Sequence, residues 1–250
     1  MFRLFTILLT AIAVSMYPAP ITLAADACDF QNGFQDLAQK KDDYLNDNSP
    51  DNLRAELDVR KIILNQILDC AIKDALTAQS NVKSLSINDP DIQAIQNRFL
   101  SKFDDVVNYY RFQKTLVGDL GIEGSKKFSA GIKEWRNSNH EPLFELGTNF
   151  IIFSKNQELM RIAGNRLDQI KRTLQVLALI DYETIRTLLK NAESNFGKAN
   201  NDNNRAREVF RSLVWPNNSL SIITSSLGYL KETYLNFSDI RTEAQKIISG

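Results

Sequence analysis

The chain of 250 residues carries 30 Lys and Arg against 30 Asp and Glu, so it has no formal net charge. That balance removes the electrostatic case for a nucleic-acid or anionic-membrane partner, because counterion release needs a clustered basic surface. A composition of 43% hydrophobic and 24% charged residues is that of an ordinary folded chain, and a single histidine with two cysteines is too few for a zinc finger or a histidine-rich metal cage.

In chain order, Arg3 precedes an apolar run from Leu4 to Met16, followed by Pro18, Pro20 and the small residues Ala24 and Ala25. As a helix the run falls well short of the ~30 Å hydrocarbon core, so it reads as a secretory signal over residues 1–25, not as a membrane span. Cleavage is expected after Ala24 or Ala25, or less favourably after Ala27. Cys28 invites a lipoprotein reading, but Ala25 stands where the lipobox wants an aliphatic residue. No later stretch is long and apolar enough to span a bilayer, so the product is expected to be secreted or extracytoplasmic, in the periplasm or cell envelope.

The rest, residues 26–250, is expected to form one helical-bundle domain. Its prolines, Pro50, Pro90, Pro142 and Pro216, each stand where a helix would begin, with Ser49 and Asp89 as caps. Apolar residues follow at helical steps. They run Phe30, Phe34, Leu37, Tyr44; then Leu53 through Leu64 and Ala71 to Leu85; then Ile92, Phe99, Phe103, Tyr110. A short segment, capped at Ser125, carries Phe128, Ile132 and Trp135. A very long one from Leu143 to Leu177 offers Asn156-Gln157 and Gly164-Asn165 as places to bend. The sixth covers Ile185 to Phe196 and reaches Leu213 only if Lys198 to Asn204 is helix and not loop. The last holds Leu220, Ile223, Leu227, Leu230, Phe237 and Ile247. Period-two strand patterns are lacking, so the spacing predicts an all-α, elongated up-and-down antiparallel bundle of about five long and two short helices.

Cys28 and Cys70 have residue 49 as their midpoint, which is the expected turn between the first two helices. Residues equidistant from the turn of a helical hairpin lie side by side, so a disulfide is expected there, permitted by an oxidising compartment.

Chemistry is harder to find. Phosphate-loop, HExxH, GxSxG and paired CxxC motifs are missing, and no catalytic residue, metal or cofactor is expected. Asp47, Ser49 and Asp51 begin like a calcium loop, but Asn52 stands where glycine is required, and capping explains them better. His140, in the polar stretch Asn137 to His140, reads as a solvated loop or cap residue. The acidic pairs Asp42-Asp43 and Asp104-Asp105 read as solvated faces, since adjacent helical residues diverge. Trp135 and Trp215 stand at bundle ends where a ligand or glycan could stack, with core packing as the plainer reading.

The strings Arg54 to Cys70 (RAELDVRKIILNQILDC), Ile132 to Arg136 (IKEWR) and Asn156 to Ile170 (NQELMRIAGNRLDQI) resemble exported all-helical proteins of candidate phyla radiation bacteria. That resemblance implies no activity and transfers no site residue. The leading expectation is an exported non-enzymatic bundle, an envelope-associated structural or partner-binding module whose protein or envelope partner is unknown. The alternative is an extracytoplasmic small-ligand-binding or sensor-like bundle with contacts at Asn156, Gln157, Asn165 and Arg166. A cell-wall glycan enzyme stands third.

Overall fold

The computed structural model describes Cys28, residues 30–213 and residues 218–249. The expected signal over residues 1–25 lies outside the described residues, as do Trp215 and the helix start expected at Pro216. Among the described residues the chain is all-α, and none of its helices is long and apolar enough to cross a membrane. The described residues divide into two compact units, with the boundary between Cys70 and Ala71.

The first unit is a helical hairpin: α1 (Gln31–Asn46) and the opening part of α2 (Pro50–Lys83). The turn is built as its sequence suggests. The Ser49 Oγ accepts from the Asn52 amide at 3.3 Å, and the Asn52 side chain donates to the carbonyl of Asp47 at 2.9 Å and that of Asp43 at 3.3 Å. Capping thus accounts for the residues that resembled a calcium loop. At the other end Cys28 and Cys70 form a disulfide, with Cα atoms 5.9 Å apart. Between these two fastenings α1 buries none of its residues, and Phe34, expected on the inner stripe, is half exposed.

The second unit begins within α2 and continues through α3 (Pro90–Leu116), α4 (Ile122–Trp135), α5 (Glu141–Val176), α6 (Glu183–Ser212) and α7 (Ser219–Ser249). Asp89 caps α3, accepting from the amides of Asp91 and Ile92. The α2–α3 corner is fastened by Gln96, whose amide donates to the carbonyls of Val82 and Leu85 at 2.8 and 3.2 Å. Side-chain pairs then fix an up-and-down order. Phe99 meets Phe150 and Tyr110 meets His140, so α3 and α5 are antiparallel. Lys171 meets Glu193 and Asn156 meets Asn203, so α5 and α6 are antiparallel as well. Asn149 pairs with Ser219 and Asn156 with Ser226, which sets α7 parallel to α5.

One core cluster gathers Phe99, Phe103, Phe150, Phe153 and Phe210 against Ile223, and another, nearer the α5–α6 turn, gathers Leu167, Leu174, Ile185 and Phe237. Joining them is a seam of small and polar residues at sevenfold spacing. It comprises Asn149, Asn156 and Ala163 on α5, Ala192, Ala199 and Ala206 on α6, and Ser219, Ser226 and Thr233 on α7, all buried. Heptad spacing keeps one face turned toward the neighbours, and small side chains there allow the helices to approach closely. The Ser226 hydroxyl accordingly reaches across to donate to the Ala199 carbonyl at 2.9 Å.

Several local expectations are corrected. Of the two alternatives left open for Lys198 to Asn204, helix is the one found, because Ala199, Asp202 and Asn203 face the core despite the polar character of the stretch. Ser125 does not cap α4. The helix starts at Ile122, and the buried Ser125 hydroxyl donates back to the Ile122 carbonyl at 2.7 Å. The polar stretch before Pro142 is a π-helical turn, Arg136–His140, that leads α4 into α5 and keeps Asn137 to Asn139 exposed while burying His140. Leu220, expected in the last apolar stripe, is half exposed.

Candidate functional site

Helix α3 ends beside α4, and where they meet the π turn they leave an open cleft of about 430 Å³. Its lining is Tyr109 and Gln113 from α3, Phe128, Gly131, Ile132, Glu134 and Trp135 from α4, and Ser138 and Asn139 from the turn. The volume lies within the range of small-molecule sites.

The floor is aromatic for a reason that starts in the sequence. Phe128, Ile132 and Trp135 recur at helical spacing, which puts them on one face of α4, toward α3. Trp135 lies flat on Tyr109, with ring centroids 3.6 Å apart and planes 12° from parallel. Tyr110 stands edge-on to both, at 5.5 Å from Tyr109 and 5.2 Å from Trp135. The π turn contributes the polar rim, and Asn139 is anchored there by donating from its side chain to the Trp135 carbonyl at 3.1 Å.

Behind the cleft lies the single histidine. His140 is 1% exposed, its Nδ1 shares a 3.0 Å hydrogen bond with the Tyr110 hydroxyl, and its Nε2 is buried with no hydrogen-bond partner among the described residues. Burial, helped by the Arg136 guanidinium, holds the imidazole below its ordinary pKa. Burial likewise raises the Tyr109 and Tyr110 phenols, so both are un-ionised at neutral pH. Arg136 itself is held by Glu141 at 2.7 Å and by Asp74 at 3.7 Å. The expected solvated histidine is therefore a core residue, because the π turn rotates it inward.

The residues expected to contact a ligand fare differently. Trp135 is at the cleft, and Trp215 lies outside the described residues. Asn156 is committed to the interior seam, where its side-chain amide donates to Asn203 Oδ1 at 3.2 Å and to Ser226 Oγ at 3.0 Å. Asn165 is exposed, and Gln157 and Arg166 are half-buried. Nine residues at about 100° each place Asn156 and Asn165 on opposite sides of α5, and Gln157 and Arg166 likewise, so the four do not converge. Asp43 meets Gln39 at 2.9 Å and Asp105 meets Lys102 at 3.4 Å on their own helices, and Asp104 accepts from Gln79 of α2 at 2.6 Å.

Glu134 is the one carboxylate in the cleft lining, which holds no histidine, cysteine or lysine. Paired-carboxylate hydrolysis needs a second acid facing the first. The two cysteine sulfurs, joined to each other, are not free to act as ligands or nucleophiles. The cleft presents aromatic rings, amides, hydroxyls and one carboxylate. Tyr109, Gln113, Gly131, Ser138 and Asn139 escape a search for apolar spacing. Only the Phe128, Ile132, Trp135 face of α4 signals the site.

No protein-family model, curated protein or solved structure matches this chain.

Proposed function

We propose that this chain is an exported, non-enzymatic helical bundle that acts at the cell envelope by binding. The observation that carries the reading is the Cys28–Cys70 bridge at the open end of the first hairpin. Disulfides persist in oxidising compartments, and the leader-like sequence Leu4 to Ala25 is the kind that delivers a chain there. The aromatic cleft, with its single acid and its packed, un-ionised phenols, supports recognition over catalysis. It also moves the ligand-binding alternative from Asn156 and its neighbours to the Tyr109–Trp135 end of the bundle.

The test is the intact mass of the product recovered outside the cytoplasm, alkylated with and without prior reduction. Expected are loss of the leader at or near Ala25, no added lipid, and two alkylatable thiols that appear only after reduction. A full-length product confined to the cytoplasm with two free thiols would overturn the proposal.

A further inference from the structure

We infer that the cleft between α3 and α4 is a binding site for the ring of a neutral sugar, with the Tyr109–Trp135 stack, one ring of which can offer its outer face, in its floor. The inference deepens the binding role proposed above and rests on it for the source of the ligand, an envelope glycan. The site itself is argued from its lining.

Three observations converge. The first is the division of the lining into an apolar floor, Phe128, Ile132 and the Tyr109–Trp135 stack, and a polar rim, Gln113, Ser138 and Asn139. A pyranose is divided the same way, with a face of C–H groups and a margin of hydroxyls that both donate and accept. Amides and hydroxyls answer both roles, whereas an all-apolar ligand would leave them unpaired. The second is charge. The lining contains no Lys or Arg and a single exposed acid, Glu134, so it repels anions and offers hydroxyls a strong acceptor.

The third is Gly131. Glycine in the interior of a helix costs stability relative to alanine, and Gly131 is an exposed interior residue of the α4 helix. A Cβ at Gly131 would meet nothing within 4 Å, so no packing contact demands the glycine. Its position in the cleft lining supplies the reason: any side chain there would stand where the ligand ring sits. Gly197 and Gly228 are equally open helix-interior glycines, so it is the place of Gly131 in the cleft lining, not its openness alone, that bears on a ligand.

The experiment uses the mature, oxidised chain carrying Trp215→Phe, which leaves Trp135 as the sole tryptophan of the two in the sequence. Its fluorescence is titrated with chitotetraose and with cellotetraose, both neutral, and with choline as a cationic competitor for aromatic faces. At least one oligosaccharide is expected to give a saturable change that persists from about 0.05 to about 0.5 M salt, since screening does not touch a neutral ligand. Gly131→Gln, which fills the cleft without disturbing the Tyr109–Trp135 stack, is expected to weaken that binding at least about tenfold while the melting temperature holds or rises. Gly197→Ala, at another open helix-interior glycine, should raise stability and leave the titration unchanged.

Failure of both oligosaccharides to move the signal would overturn the inference. So would saturable binding of choline alone with strong salt dependence, or oligosaccharide binding unaffected by Gly131→Gln. Because the titration uses purified protein, its result is independent of where the cell places the chain. Export can therefore fail by the mass test while the site stands, and the reverse.

Discussion

The Tyr110 hydroxyl and His140 Nδ1 meet at 3.0 Å inside the bundle, joining the C-terminal part of α3 to the π turn that opens α5. The groups bearing on that imidazole are Tyr110 from α3, Arg136 from the π turn, Glu141 at the start of α5 and Asp74 from α2. Burial is the leading influence and lowers the folded pKa below the ordinary value of 6.5. The unfolded chain therefore takes up the proton first as pH falls. The stability that the neutral imidazole contributes is whole above about pH 6.5 and is lost as the pH drops through the window down to the lowered folded value. Melting temperature measured between about pH 7.5 and 5, above most carboxylate titrations, is expected to decline for the native chain and to flatten for His140→Gln. An equal slope in the two proteins would contradict this.

The bridge between Cys28 and Cys70 makes a second prediction, confined to the first hairpin. Closing a loop across a separation of 42 residues is worth on the order of 4 kcal/mol on the chain-entropy model. Since α1 buries none of its residues, little else holds it. Reduction, or Cys28→Ser with Cys70→Ser, is expected to speed amide exchange throughout residues 31–46 while the core of α5, α6 and α7 keeps its protection. Exchange that rises equally in α1 and α5 would mean that the hairpin is not a separate cooperative unit.

Asn156 separates a structural from a ligand-binding role. Truncation to alanine removes the donor that Asn203 and Ser226 share and leaves buried polar atoms unsatisfied. A loss of about 1–3 kcal/mol in urea unfolding is expected, with the Trp135 titration unchanged. A folded, equally stable Asn156→Ala protein that lost ligand binding would instead restore this residue to a binding site.

The sequence carried the helices but not the seam or the cleft, and the reason is physical. Large apolar residues at three- and four-residue steps report a buried face whatever it packs against, so Ile92 to Tyr110 and Leu143 to Leu177 were legible. The midpoint of Cys28 and Cys70 likewise revealed the hairpin, because a two-helix register depends only on rise per residue. Ser219, Ser226 and Thr233 were silent, since small polar residues look the same on a surface as in a seam. They tolerate burial here because each hydroxyl has a partner nearby: Thr233 donates to the Tyr229 carbonyl of its own helix at 2.9 Å. His140 was misread because a π turn shifts side-chain direction in a way that composition does not encode. The cleft was half visible in Phe128, Ile132 and Trp135, but its other wall, Tyr109, depends on how α3 and α4 pair.

The end of α5 offers a stabilising substitution. The chain leaves the helix through a Schellman arrangement: the Leu179 amide donates to the Leu174 carbonyl at 2.9 Å and the Ala178 amide to the Gln175 carbonyl at 3.1 Å. Leu174 and Leu179 are both buried in the same cluster, which supplies the apolar contact that accompanies such a cap. The geometry requires a left-handed residue at its centre, and Ala178 adopts it at φ 52°. An alanine Cβ costs about 1 kcal/mol or more in that region, whereas glycine enters it freely, its gain reduced by the greater freedom of the unfolded chain. Ala178→Gly is therefore expected to raise stability by about 0.5–1 kcal/mol in chemical denaturation, with the slope unchanged, although glycine lowers stability at most helical positions. Ala178→Val at the same place is expected to lower it, since branching at Cβ worsens the same clash. If glycine and valine shifted the midpoint in the same direction, the left-handed backbone at residue 178 would not be what holds this turn.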